Sequence, residues 1–152
     1  MTSDSKSIST ATDADRARLF EVWEASVRAT HRFLTEADLQ GLVPHVRDAL
    51  SQVAPVHCLR DADGAVCAFM FVEHAKIESL FVAPSHRGAG AGRTLVEYAI
   101  RELGAREVDV NEQNPLAVGF YEHLGFRTFG RSPLDPLGNP FPILHMRLPA
   151  SE

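Results

Sequence analysis

The run Arg87-Gly-Ala-Gly-Ala-Gly-Arg93 is the place in this chain most suited to holding an anion. It stands between a β-rich run ending at Val82 and an apolar-periodic run beginning at Thr94. Glycines let a ligand approach the main chain, and successive amides ahead of a helix N-terminus cradle phosphate. Arg87 and Arg93 add positive charge at the two ends. The alternative is a tight strand-to-helix turn that holds no ligand. Two other phosphate motifs are excluded. A dinucleotide fingerprint needs G-x-G-x-x-G after an opening β-α-β unit, whereas these glycines fall as G-x-G-x-G after a meander. A P-loop ends in Gly-Lys-Ser/Thr, and no such step occurs. His86, Cys58 and Cys67 lack the paired spacing of a His–Cys site, so no metal is expected.

The elements that must position this turn read clearly from patterning. Lys6 to Thr10 is a weak edge strand. Thr12-Asp-Ala-Asp starts a helix that carries Leu19, Phe20, Trp23, Val27 and His31 at intervals of three to four. A second helix runs from about Thr35 to Leu50, where Pro44 predicts a kink or break. Val53–Leu59 and Ala65–Glu73 flank Asp61-Ala-Asp-Gly64, a hairpin signal, and Lys76–Val82 completes an antiparallel meander. Thr94–Leu103 is a helix capped by Gly104, and Glu107–Glu112 a short strand. Asn114-Pro115 opens a further helix ending at Gly125. Phe126–Gly130 and Ile143–Leu148 form a last strand pair joined by the Pro- and Gly-rich stretch 132–142. The expected fold is one α+β domain over residues 6–149, mostly antiparallel, with flexible termini at 1–5 and 150–152.

Arg87-x-x-Gly90-x-Gly92, preceded by Leu80-Phe-Val-x-Pro84, resembles the acyl-CoA loop R/Q-x-x-G-x-G/A of the GNAT N-acetyltransferase superfamily. Asn114-Pro-Leu-Ala-Val-Gly-Phe-Tyr-Glu-His-Leu-Gly-Phe126 is similar to that family's N-x-x-A-x-x-F-Y-x-x-x-G-F signature, and the agreement extends from about Ile8 to Leu148. Trp23-x-x-Ser-Val-x-Ala-Thr-His-x-Phe-Leu34, Val110-Asn-Glu-Gln-Asn114 and Asp135-x-x-Gly-x-Pro140 resemble its small single-domain bacterial YjaB-type branch. The resemblance implies a mixed, mostly antiparallel sheet of about six to seven strands flanked by about four helices, with the fourth and fifth strands splayed. Acetyl-CoA would lie in that gap against the backbone of Leu80, Phe81 and Val82. Its pyrophosphate would rest on the amides of Gly88, Ala89, Gly90, Ala91, Gly92 and Arg93, with Arg87 close by. Asn114 and Phe120 match further cofactor-binding positions, and Asn114 also reads as a plain helix cap.

Acyl transfer from a thioester to an amine requires an amine stripped of its proton, a stabilised oxyanion and a protonated leaving thiolate. Tyr121 matches the family tyrosine that serves the sulfur as acid, its alternative being core packing. The oxyanion donor would be a backbone N–H of Val82 or its neighbour. Glu78 is the candidate base, two residues from Leu80 and expected on the same side as Leu80 and Val82; its alternative is a solvated strand glutamate. Many family members carry a glutamate where Lys76 stands here. Glu73, His74 and Glu112 are the spares. His31, Phe33 and Phe141 would line the amine pocket, with core packing or capping as the alternative.

A net charge of -5 over 152 residues argues against nucleic acid and acidic membranes, which call for a basic face. No apolar run approaches the roughly 20 residues of a membrane span, and no secretion signal opens the chain, so the cytoplasm is expected. Cys58 and Cys67 flank the Asp-Gly turn and are expected as reduced core thiols. No Cys or Ser stands poised beside the glycine turn, so direct transfer is expected. The amine is a protein lysine or a small molecule, and the chain a monomer or homodimer. The competing reading is a non-catalytic acyl-CoA-binding or sensor domain.

Overall fold

Seven strands form one sheet in the order β1-β2-β3-β4-β5-β7-β6 in a computed structural model that describes residues 8–52, 55–86, 88 and 90–149. Expectations for Arg87, Ala89, Lys6, Ser7, Val53, Ala54 and the terminal segments 1–5 and 150–152 lie outside those residues. The strands are β1 (Ser9–Thr10), β2 (Val56–Arg60), β3 (Val66–Glu73), β4 (Lys76–Val82), β5 (Glu107–Asn111), β6 (Arg127–Ser132) and β7 (Ile143–Arg147). The helices are α1 (Arg16–Thr30), α2 (Glu36–Gln52), α3 (Ala91–Leu103) and α4 (Pro115–His123). All neighbouring strands pair antiparallel except β4 and β5, which run parallel.

Side-chain alternation sends successive residues of a strand to opposite faces, and the core divides accordingly. Met70 packs with Leu95, Val96 and Ala99 of α3, Tyr121 of α4 and Phe126. Its neighbour Phe69 packs with Leu19, Val22, Trp23 and Val27 of α1 and Leu39 of α2. Cys58 packs in the α1–α2 cluster and Cys67 in the α3–α4 cluster, and both are buried free thiols. Pro44 does not break α2, which continues through it to Gln52. That helix starts on a reciprocal cap: Thr35 Oγ1 accepts from the Asp38 N–H and Asp38 Oδ2 from the Thr35 N–H, each at 3.0 Å.

The parallel pair is short. β4 meets β5 only at Lys76↔Glu107 and Ile77↔Val108, and beyond these the strands part. A bulge in β4 accounts for the parting. Ile77 pairs with Val72 and Ser79 with Phe71, leaving Glu78 without a partner. An extra residue bends its strand and increases the local twist, which peels β4 from β5. Ile77 and Leu80, three apart, consequently pack on the same α3–α4 side. The bulge interrupts the regular alternation on which the expected shared side of Glu78, Leu80 and Val82 rests, and Glu78 and Leu80 line the same gap.

Below the splay, β3 and β4 are joined by His74 (φ 54°) and Ala75 (φ 62°), both in the left-handed region. Neither is glycine, although such a turn favours it. The Ala75 carbonyl accepts from the Arg106 N–H at 2.7 Å and the Glu107 N–H at 3.2 Å, so the strained turn tethers the start of β5. Ala75→Gly relieves about 1–2 kcal/mol of left-handed strain and costs about 0.5–1 kcal/mol in unfolded-chain freedom. The net expectation is a gain of up to about 1.5 kcal/mol in chemical unfolding, and a loss would refute the strain.

Ahead of α1, Asp15 Oδ2 accepts from the Thr12 N–H at 2.8 Å, and both its oxygens take the Arg60 guanidinium at 2.9 Å. Arg60 first, and then the Thr12 amide, hold this carboxyl well below the usual carboxylate range. A depressed folded pKa adds stability above the unfolded value near 3.9 that is lost as pH falls. Asp15→Asn should therefore cost on the order of 1 kcal/mol at pH 7 and flatten the decline in melting temperature below pH 4. A parallel decline in both proteins would remove Asp15 from the acid limb.

Candidate active site

Where β4 and β5 part, the structure opens two adjoining cavities. The larger, about 550 Å³, runs from the glycine turn and the start of α3 along Leu80–Val82 to α4. The smaller, about 180 Å³, fills the gap between Glu78–Phe81 and Val108–Asn111. His31, Leu80, Phe81, Asn114, Ala117 and Tyr121 line both and mark the junction. The β5-facing edge of β4 is unpaired from Glu78 onward, so backbone groups there are available to a ligand.

The glycine turn has the form of an anion cradle. Gly88 (φ +84°) and Gly90 (φ +86°) lie in the left-handed region with open space where a Cβ would stand. Gly90 is the N-cap of α3, which begins at Ala91 rather than at the expected Thr94. Ala91, Gly92 and Arg93 thus present first-turn N–H groups, which lack partners inside the helix and carry the positive end of its dipole. A Cβ on Gly92 would stand 3.3 Å from Phe120 Cζ and 3.6 Å from Val82 Cγ2, so glycine permits the close packing of Phe120. Arg93 lines the larger cavity while pairing with Glu97 at 2.9 Å. A cradle of open glycines at a helix start, leading into a mostly apolar cavity, fits a nucleotide-tailed thioester.

At the junction, Asn114 is 7% exposed and caps α4, its Oδ1 accepting from the Ala117 N–H at 3.3 Å with Pro115 next in the chain. Tyr121 is 6% exposed and stacks edge-on against Phe120 and Phe126. Burial pushes its phenol above the usual range. The His31 ring meets Phe33 at 5.3 Å, and Phe33 meets Phe141 at 5.4 Å, so the α1–α2 junction and the 132–142 loop share one aromatic wall. Burial holds the His31 pKa below its ordinary value.

Glu78 lines only the smaller cavity and is exposed. The spares lie elsewhere: Glu73 and His74 at the turn beyond the paired end of β4, and Glu112 engaged by Arg131 at 2.8 Å. Sequence reading missed Asp109, which lines the gap. Its carboxylate takes Lys76 Nζ at 2.7 Å and His145 Nδ1 at 2.7 Å, and His145 Nε2 lies 2.7 Å from Ser132 Oγ. Burial opposes its charge, but Lys76 and then His145 prevail and hold its pKa below the ordinary value. That chain joins four strands through contacts that no linear spacing reveals. His86, given no role on sequence, also lines the larger cavity.

The GNAT acetyltransferase family pattern matches residues 17–126. The chain is 39% identical over 132 residues to the peptidyl-lysine N-acetyltransferase YjaB of Salmonella typhimurium strain LT2, covering 87% of this chain and 90% of that protein. Identity to the protein of the same name from Escherichia coli K12 is 39% over 128 residues, 84% of this chain and 86% of the other. The solution structure of apo YjaB from Escherichia coli superposes with a TM-score of 0.86 at 36% identity, covering 95% of this chain and 98% of that one. These relatives disfavour a non-catalytic sensor. The chain belongs to the GNAT family and is an N-acetyltransferase.

Proposed function

We propose that the acetyl group comes from acetyl-CoA and passes directly to the ε-amine of a protein lysine. The junction of the two cavities carries the reading. It brings a buried phenol, a histidine and an unpaired strand edge to the point where a thioester in the larger cavity meets an amine in the gap. The name of the YjaB relatives supports lysine as the acceptor.

In this reading the amides of Gly88, Gly90, Ala91, Gly92 and Arg93 hold the pyrophosphate, and Leu80–Val82, Phe120 and Asn114 hold the pantetheine arm. Acetyl-CoA supplies the activated acyl carbon. An unpaired β4 amide near Val82 receives the developing oxyanion, and Tyr121 gives the departing sulfur its proton. Glu78 places negative charge along the gap and draws in an ammonium group, while the Asp109 carboxylate is already engaged by Lys76 and His145. Phe33 and Phe141 flank its alkyl stem. We place the reaction in the cytoplasm, where Cys58 and Cys67 stay thiols.

The test compares a blocked lysine peptide with a diamine and an aminoglycoside at equal concentration, reading thiol release and product mass. The peptide should give the highest kcat/KM, by about tenfold or more. Preference for a small amine would move the acceptor class while keeping the transfer.

A further inference from the structure

We propose that His31 is the base that takes the acceptor nitrogen's proton, and that Thr30 is the positioning residue that decides which ring nitrogen does so. The inference rests on the N-acetyl transfer described above and deepens it.

Thr30 Oγ1 lies 2.8 Å from the Ser26 carbonyl oxygen and 2.8 Å from His31 Nδ1. A hydroxyl has one hydrogen, and a carbonyl can only accept. The Thr30 hydrogen therefore goes to Ser26, and the second contact needs a hydrogen on Nδ1. His31 Nδ1–H donates to Thr30 Oγ1, which in the neutral ring leaves the lone pair on Nε2. Nε2 has no hydrogen-bond partner among the described residues. The main chain is fixed at the same corner. The His31 N–H donates to the Val27 carbonyl at 2.8 Å, ending α1, and the His31 carbonyl accepts from the Leu34 N–H at 3.1 Å.

Among the described residues, three polar side chains line both cavities: His31, Asn114 and Tyr121. An amide cannot accept a proton at neutral pH, and the Tyr121 phenol already holds one. His31 is the group left to receive it. The titratable groups that line the same two cavities are Glu78 from β4, Asp109 from β5, Tyr121 from α4, and His86 and Arg93 on the glycine-turn side. At the α1–α2 junction, Arg28 and Glu36 occupy one another at 2.8 Å. Burial of the ring prevails and keeps it neutral at pH 7.

Timing follows from acidity. A free lysine ammonium has a pKa near 10.4 and an imidazole one near 6.5 at most, a mismatch of about 10⁴ in equilibrium. The first ammonium proton is therefore lost to water. As the amine's lone pair forms the C–N bond, the nitrogen becomes far more acidic, and its second proton passes to Nε2. The C–S bond breaks with its electron pair on sulfur, which takes the Tyr121 proton. The imidazolium proton returns to the Tyr121 oxygen through water. The sum is R–NH₃⁺ plus thioester giving R–NH–CO–CH₃, free thiol and one H⁺.

Ring ¹⁵N NMR of the protein alone, with His31 assigned by its loss in His31→Gln, should show the Nδ1–H tautomer and a pKa below 6.5. Thr30→Val should mix the tautomers and lower kcat about tenfold with KM unchanged, and Thr30→Ser should restore both. With the blocked lysine peptide, His31→Gln should lower kcat/KM by roughly 10²- to 10⁴-fold and abolish the acidic ionisation in the pH profile. Glu78→Gln should raise KM and keep that ionisation. An Nε2–H tautomer in the wild type, or a His31→Gln profile that overlays it, overturns the proposal. So does loss of the ionisation in Glu78→Gln instead. If the wild type acetylates neither peptide nor diamine, the transfer reading fails, and the tautomer and pKa still decide on His31.

Discussion

Tyr121→Phe is expected to lower kcat by roughly 10²- to 10⁴-fold, the usual worth of a positioned general acid, while folding and thioester affinity stay nearly unchanged. The ring does the packing: it meets Phe120 at 4.9 Å and Phe126 at 5.5 Å, and phenylalanine keeps both contacts. The hydroxyl makes no hydrogen bond among the described residues, so its removal leaves no partner unsatisfied. Burial pushes the phenol's pKa upward, so it stays protonated at every working pH. The ionisation that limits the wild type at low pH should therefore persist in Tyr121→Phe. Steady-state rates with a lysine peptide, beside melting curves with and without acetyl-CoA, separate chemistry from binding. Turnover within about threefold of wild type, well under 1 kcal/mol in the barrier, would leave Tyr121 a packing residue.

The parts legible in the sequence are those with local chemistry behind them. Asp63-Gly64 marks the β2–β3 hairpin because glycine takes its positive φ of 84°. Asn114-Pro115 marks the α4 start because the side chain caps the helix and proline has no N–H to lose. The glycine turn was visible for the same reason. The start of α3 was not: glycines at 90 and 92 argue against helix, yet the first turn forms because Gly90 takes the cap and Phe120 packs over Gly92. The bulge at Glu78 carries no glycine to announce it: Glu78 and Ser79 stand side by side between Ile77 and Leu80, and the pairing with β3 is what identifies the extra residue. The His74-Ala75 turn lacks the glycine that would announce it.

These unseen features are also those that build the site. The tether at Ala75 sets the two residues over which β4 and β5 remain parallel, and the bulge at Glu78 ends that pairing at once. A regular strand would continue the ladder and close the gap in which the two cavities meet. The bulge leaves Glu78 unpaired with β3 at the mouth of that gap, and His31 lines the gap from the end of α1.

Acetyl-CoA at about a hundred times its dissociation constant should add about 2.7 kcal/mol to unfolding, a rise in melting temperature on the order of 5–10 °C for a domain this size. The shift should depend on the cradle. Gly92→Val places branched carbon where a single Cβ already stands 3.3 Å from Phe120 Cζ. Phe120 must then move into the larger cavity, or α3 must withdraw its first-turn amides from the pyrophosphate. Either movement should weaken binding about tenfold or more, so that the same concentration of acetyl-CoA adds at most about 1.4 kcal/mol. Overpacking will also lower the unliganded stability, by about 1–3 kcal/mol, so the quantity to compare is each protein's own ligand-induced shift. A full shift in Gly92→Val would move the thioester away from the start of α3. No shift in the wild type at millimolar acetyl-CoA would remove acetyl-CoA as the donor, because a cradle of free amides beside a cavity of about 550 Å³ would then bind something else.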